Sequence, residues 1–272
     1  MIRWLKVTWN IWALDHRTGG PLRRAIDALG DLGSPRAVKP LLATYQKFLN
    51  NEFVRHDAAI ALGKLGDPAA IEPLIFEMGS KDICSRVGRD ETAKLLASFR
   101  DVRVVEALIS ALDDKDGTVR CLAAQGLAQL GDARAVSRLI SSLGDTGHAS
   151  YGAYVRVEAA QALEVLGEPQ WSPLIKGCEM GYPGCIDVAE RDFERLAAVN
   201  DPRAVEPLIY ALKNGRLSDG DASFQFAAAR LLGKRGDKRA IPALRAALKS
   251  ETFDRLRNAI IEALALLESP KS

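Results

Sequence analysis

The sequence predicts an all-α solenoid, an α–α superhelix of about eight antiparallel helix pairs made from one recurring unit. Three observations lead there. A turn followed by a helix start recurs along the whole chain. Gly closes helices and Asp, Ser or Pro opens them at matching positions. Between those marks, apolar residues follow helical spacing.

The clearest copies of the recurring segment are LGSPRAVKPLL from Leu32, LGDPAAIEPLI from Leu65, LGDARAVSRLI from Leu130 and VNDPRAVEPLI from Val199. Weaker copies are FRDVRVVEALI from Phe99, LGEPQWSPLI from Leu166 and RGDKRAIPAL from Arg235. The residue after the Gly position falls at Ser34, Asp67, Asp101, Asp132, Glu168, Asp201 and Asp237, in steps of 33, 34, 31, 36, 33 and 36. Each step has room for two helices.

In each unit, Leu-Gly ends one helix, because Gly adopts the left-handed C-terminal conformation that a Cβ resists. The Asp, Ser or Glu that follows caps the first helix, and Pro35, Pro68, Pro169 or Pro202 occupies its first turn, where no N–H is needed. Apolar positions then repeat at Val38, Leu41, Leu42 and Tyr45, or at Val205, Leu208, Ile209 and Leu212. A second proline column, Pro40, Pro73, Pro173, Pro207 and Pro242, is expected to bend these first helices from within. The two columns hold nine of the twelve prolines, which leaves no linker-like stretch. A single domain over 1–272 is expected, with a capping helix at 1–18 and repeats over 19–268.

The second helix opens on a Val-Arg pair, as in VRHDAAIALGKLG from Val54, VRCLAAQGLAQLG from Val119 and VRVEAAQALEVLG from Val155. Small residues such as Ala58, Ala59, Ala159 and Ala160 allow close helix approach. Arg55, Arg89, Arg120, Arg156 and Arg257 share one place at the start of these helices, and the Asp column shares one turn position. Such columns are expected to form capping and salt-bridge ladders between neighbouring units.

This pattern, over about Pro21 to Leu267, resembles the HEAT-like repeats of the phycobilisome-lyase type. The resemblance implies a fold rather than an activity. It also implies that the helices beginning Val-Arg line a concave face. An enzymatic relative would be a bilin lyase or isomerase subunit, or a phycobiliprotein chaperone, yet no chromophore-handling residue stands out here. Deoxyhypusine hydroxylases, built from such repeats, bind a di-iron centre through His-Glu dipeptides. This sequence has no His-Glu pair, and its histidines are His16, His56 and His148.

Composition narrows the field further. Hydrophobic residues are 47% and charged residues 26%, a globular balance that excludes general disorder. With 37 Lys+Arg against 35 Asp+Glu the net charge is +2, which argues against a dedicated nucleic-acid binder. Local basic patches at Arg23, Arg24 and Lys64, or at Arg230, Lys234, Arg235 and Lys238, are the only basis for nucleic-acid binding. Cys84, Cys121, Cys178 and Cys185 form no CxxC pair and have no His at zinc spacing. Cys178 and Cys185 flank a Gly-Tyr-Pro-Gly turn and are read as ordinary thiols, with a disulfide across the folded-back loop as the alternative. The apolar stretch Met1 to Leu14 is too short and too charged to span a membrane and lacks a small-residue cleavage site, so a cytoplasmic protein is expected.

Catalytic constellations are scarce. His56-Asp57 sits on one of the second helices, and no phosphate-binding glycine loop occurs in a strand-to-helix context. No catalytic residue, metal or cofactor is therefore assigned. More informative are the non-repeating positions on the second helices: His56, Asp57, Lys64, Glu91, Gln125, Glu158, Glu190, Arg230 and Lys234 are expected to face the concave groove. Their mixed charge suits a protein partner. Three long connections, from Gly144, Cys178 and Lys213, join first to second helices in the fifth to seventh repeats. They bring Tyr151, Tyr154 and Tyr182 to one edge, and Tyr is a favoured interface residue. Trp4, Trp9 and Trp12 crowd the first segment, as a cap over the first repeat or as a docking or membrane-surface helix. The sequence thus predicts a non-enzymatic protein-binding scaffold. Its partner and oligomeric state are not encoded in these patterns.

Overall fold

The turn residues set the helix ends. Gly33, Gly66, Gly131, Gly167 and Gly236 all have φ between 59° and 84°, the left-handed conformation that stops a helix without steric cost. One residue on, the carboxylates of Asp67, Asp132 and Asp237 each accept the backbone N–H two residues ahead, as Asp201 does after Asn200. Asp101 does the same for Arg103. Each such cap is worth about 1 kcal/mol.

The computed structural model describes residues 2–80, 88–146, 151–174, 193–215, 222–250 and 253–269. Among them every regular element is a helix, and the fold is a helical-repeat solenoid. The chain divides into two compact units, Met1–Ala111 and Leu112–Ser272.

The first helices differ from the sequence expectation in one respect. Most begin as a 3-10 turn, such as Pro35–Ala37 or Pro202–Ala204, and only then become α-helical, at Val38–Lys47 or Val205–Asn214, whereas Val102–Ala111 is α-helical from its start. Pro40, Pro73, Pro207 and Pro242 are thus the second or third residue of an α-helix rather than interior residues. At that place the N–H has no intrahelical acceptor to lose, so the column marks the 3-10-to-α junction instead of bending the helix.

In the first unit, helix Gly19–Leu32 packs on Glu52–Lys64, which in turn contacts Arg89–Ala97; Val38–Lys47 and Ile71–Gly79 form the other layer, followed by Val102–Ala111. Leu22, Ile26, Leu29, Leu41, Leu62 and Leu74 are buried between them. Gly30 and Gly63, three residues before the stop glycines, allow the tight spacing. A Cβ on Gly30 would lie 3.0 Å from the Cα of Ala61 in the next second helix.

In the second unit, Gly117–Leu130 packs on Tyr151–Val165, and Ser223–Arg235 packs on Asp254–Glu268. Trp171 and Phe193 are fully buried, and Phe193 meets Phe224 edge-on at 6.1 Å between ring centres. Helix Val136–Ser142 of the fifth pair lies directly on Val205–Asn214 of the seventh. A uniform stack would have kept these two first helices apart.

The acidic turn column also links neighbours. Arg203 donates to its own Asp201 and to Glu168 of the preceding turn at 2.9 Å through Nη1, and Arg103 joins Asp101 to Glu72 at 3.0 Å. Hydrogen bonds from Arg203 hold the carboxyls of Asp201 and Glu168 below their ordinary ranges. Stability from this link is complete above the ordinary carboxylate range and is lost as protons compete for the two groups. Arg203 is itself well solvated, so Arg203→Ala is expected to cost only about 1 kcal/mol at pH 7. Urea unfolding should show that cost fading below about pH 4.

Candidate functional site

Three of the five column arginines, Arg55, Arg120 and Arg156, turn inward, whereas Arg89 is half-buried and Arg257 exposed. Arg55 donates from Nε to Glu77 Oε1 at 2.6 Å and from Nη1 to the Leu49 carbonyl at 2.9 Å. Glu77, at the end of the next first helix, is fully buried. Arg120 repeats the arrangement: two bonds to Asp145, at 2.6 and 3.1 Å, and one to the Asp114 carbonyl at 2.7 Å. Arg156 donates to the Asp145 carbonyl at 2.7 Å. Gln225 holds the corresponding place later in the chain and donates to the Leu212 carbonyl at 2.8 Å. These buried cations meet the carbonyl ends that helices leave unsatisfied. They fasten one repeat to the next and present no charge to a ligand.

His56 belongs to the same cluster, with Nδ1 3.3 Å from Glu77 Oε2. The sequence pairs it with Asp57, but Asp57 instead takes Arg23 of the preceding second helix. Lys64 lies 3.4 Å from Asp31 and 3.8 Å from Glu91, so it bridges three consecutive second helices. Burial, reinforced by Asp57, pushes the Asp27 carboxyl above its usual range on the same face. The first-unit residues expected to contact a partner are therefore committed to one another. What remains exposed there is a short ribbon of alternating charge.

Cys121 has its thiol pushed up to about 12, chiefly by burial with Glu158 adding, so it stays a protonated thiol at neutral pH. Among the described residues no three His, Cys, Asp or Glu side chains are grouped to hold a metal ion, and no helix is long and apolar enough to cross a membrane. Cys84, Cys178, Cys185, Tyr182 and Glu190 lie outside the described residues. Tyr151 opens the helix Tyr151–Val165, and Tyr154, one turn on, is 53% exposed. Gln125 and Glu158 stand on neighbouring second helices, with Gln125 exposed and Glu158 half-buried.

The second unit holds an open concavity in which charge and apolar surface combine. A groove of about 490 Å³ runs between Ser223–Arg235 and Asp254–Glu268. Gly233 and Ala263 bring the two helices together: a Cβ on Gly233 would lie 2.8 Å from the Ala263 Cα. Phe226, Ala259 and Leu266 supply apolar wall, and Arg230, Lys234 and Arg255 surround it against a single acid, Glu262. The Arg255 guanidinium lies over the Phe226 ring at 4.4 Å. Arg230 reaches Glu194 at 3.4 Å, whereas Lys234 and Arg255 have no acidic partner among the described residues. The sequence selects Arg230 and Lys234 on one wall but misses the opposite wall. Its own rule pointed there: the residues after Leu256-Arg257, by the offset used elsewhere, are Asn258 and, one turn on, Glu262, and both line the groove.

A family model for HEAT repeats matches residues 9–81, 84–164 and 187–265. The chain is a HEAT-repeat protein. No curated protein matches it. Among solved structures it is similar to human deoxyhypusine hydroxylase in complex with glycerol, at 20% identity over 98% of both chains with a TM-score of 0.37. It is also similar to the complex of CpcE and CpcF of phycocyanin lyase from Nostoc sp. PCC7120, at 22% identity over 84% of this chain and 94% of that chain, with a TM-score of 0.42.

Proposed function

We propose that this HEAT-repeat chain is a non-enzymatic protein-interaction scaffold, anchored to its partner through the second-helix groove at Phe226, Arg230, Lys234 and Arg255. The observation that carries this reading is the groove's composition. It offers an apolar floor about two helical turns long with three cations at its edges and one acid. An acidic amphipathic helix fits such a site, with apolar anchors on the floor and carboxylates toward the rim. Tyr154, exposed in the first turn of the helix Tyr151–Val165, supplies a second contact. The buried pairing of Arg55 and His56 with Glu77 supports a reading in which these first-unit charges maintain the stack rather than meet a ligand.

The test is capture of partners from the native host, followed by photo-crosslinking from position 226 and titration of the crosslinked protein. Arg230→Glu with Lys234→Glu should weaken binding by about 10- to 100-fold. Tyr154→Ala should have a smaller effect, and both variants should keep the wild-type helical spectrum. Unchanged affinity in the folded charge-reversal variant would remove the groove from the proposal. Capture of nucleic acid instead, with affinity falling steeply as salt rises, would replace the scaffold reading by a nucleic-acid one.

A further inference from the structure

The first helix, Ile2–His16, is amphipathic the wrong way round for a cap. Val7, Ala13 and Leu14 face the chain and are buried, and Arg3 donates to the Leu32 carbonyl at the end of the next helix. Those contacts are small. The bulky residues point out: Ile2 is 73% exposed, Leu5 55%, Trp9 58% and Trp12 41%. At 100° per residue, Ile2, Leu5, Trp9, Trp12 and His16 form one stripe along the helix, opposite the buried side. Trp9 stacks on Trp12 at 5.0 Å, and Trp12 on His16 at 4.3 Å, so the stripe is one continuous surface. Capping of the first repeat therefore uses Val7, Ala13 and Leu14, with Trp4 off the stripe under the Arg36 guanidinium at 5.5 Å, and leaves Trp9 and Trp12 unused.

Charge identifies the surface that covers the stripe. Residues 2–17 carry Arg3, Lys6 and Arg17 against Asp15, so this segment alone holds a net +2, as much as the whole chain. Lys6 and Arg17 are exposed on the same flank of the stripe, and neither has an acidic partner among the described residues; the Arg17 guanidinium lies over Trp12 at 5.7 Å. Two copies of this helix packed on each other would bring these like charges together, which opposes self-association. A negatively charged bilayer surface accepts both features, with indoles at the headgroup level and cations beside lipid phosphates.

We infer that the helix Ile2–His16 binds the surface of anionic membranes, inserting the Ile2, Leu5, Trp9 and Trp12 stripe into the headgroup region with Lys6 and Arg17 against the lipid phosphates. The helix lies in the plane of the interface, about 21 Å of it at 1.5 Å per residue, and does not span the bilayer. In this arrangement the scaffold's partner groove is carried to a membrane surface by a separate element of the chain.

The test is co-sedimentation of the full chain with vesicles of mixed phosphatidylglycerol and phosphatidylcholine, and with phosphatidylcholine alone. Wild type should sediment with the mixed vesicles and far less with the neutral ones. Brominated lipid should quench its tryptophan fluorescence, with Trp171, fully buried, left as the unquenched remainder. Trp9→Gln with Trp12→Gln, and separately Lys6→Glu with Arg17→Glu, should each reduce partitioning by about tenfold or more. All four side chains are exposed, so thermal melts of both variants should match wild type. A wild-type chain that stays in the supernatant with anionic vesicles overturns the inference. So does binding that survives the tryptophan substitutions. A dimer seen by analytical ultracentrifugation that those substitutions dissolve, without vesicle binding, would assign the stripe to a second copy instead.

Discussion

Glu77→Ala is expected to destabilise the first unit by about 3–5 kcal/mol, because it leaves the Arg55 guanidinium buried without its counter-charge. Arg55 is only 5% exposed and Glu77 not at all, so water cannot take over the lost interaction. Glu77→Gln keeps an acceptor for Arg55 Nε and should cost less, but it still removes the charge. The double variant Arg55→Met with Glu77→Leu should recover most of the loss, since the cost lies in the orphaned ion rather than in the pair's net worth. Urea unfolding of the three variants measures this. A Glu77→Ala cost below about 1 kcal/mol would show that Arg55 finds solvent or a second partner. Tyr45 offers an independent readout. Its phenol is pushed up to about 12, first by burial and then by the Glu77 charge. Absorbance titration of Glu77→Gln should show that tyrosine ionising at lower pH than in wild type.

The second large effect is expected at Gly144→Ala. Gly144 follows the helix Val136–Ser142 and abuts the backbone of Pro207 in a first helix two pairs later. An added Cβ would lie 2.7 Å from the Pro207 carbonyl carbon and 3.0 Å from its Cα. Backbone cannot rotate aside as a side-chain tip can, so the two helices must separate. Overpacking of this kind costs about 3 kcal/mol, more than the fraction gained by stiffening the unfolded chain. The loss should appear as a lower midpoint in denaturant for the second unit. Thr146, whose hydroxyl donates to the Asn214 carbonyl at 3.3 Å across the same contact, should show reduced hydrogen-exchange protection around Asn214. Gly131→Ala is a useful comparison: nothing crowds its Cβ position, but its φ of 67° makes the substitution a matter of backbone strain alone, about 1 kcal/mol.

The lining of the groove was legible to the extent that it followed the repeat. Arg230 and Lys234 lie at positions the Val-Arg offset selects, and the structure places both on one groove. Lys64 and Glu91 lie at equally selected positions, yet they bridge each other. The offset rule reports which helix side a residue occupies. It does not report whether a neighbour 27 or 33 residues away carries the opposite charge at bridging distance. The role of the Arg column was half legible: five arginines at one position implied a shared structural duty, but Glu77 and Asp145 were not foreseen as partners. Their only signal was an acid near the end of the next first helix, 22 and 25 residues after Arg55 and Arg120.

By itself, the sequence determined the unit of this protein: where helices stop, where they start and which faces are apolar. Those are local properties, fixed by the φ that Gly adopts at 33, 66, 131 and 236, by Asp caps reaching two residues ahead, and by 3.6-residue periodicity. Only the tertiary structure decided how units depart from uniform stacking. It set Val136–Ser142 against Val205–Asn214, turned Arg55, Arg120 and Arg156 inward while Arg257 stayed exposed, and left Trp9 and Trp12 outward. Each of these depends on side chains distant in sequence meeting at van der Waals or ion-pair distance. Such meetings are set by the packing of whole helices, and a repeat register is blind to them.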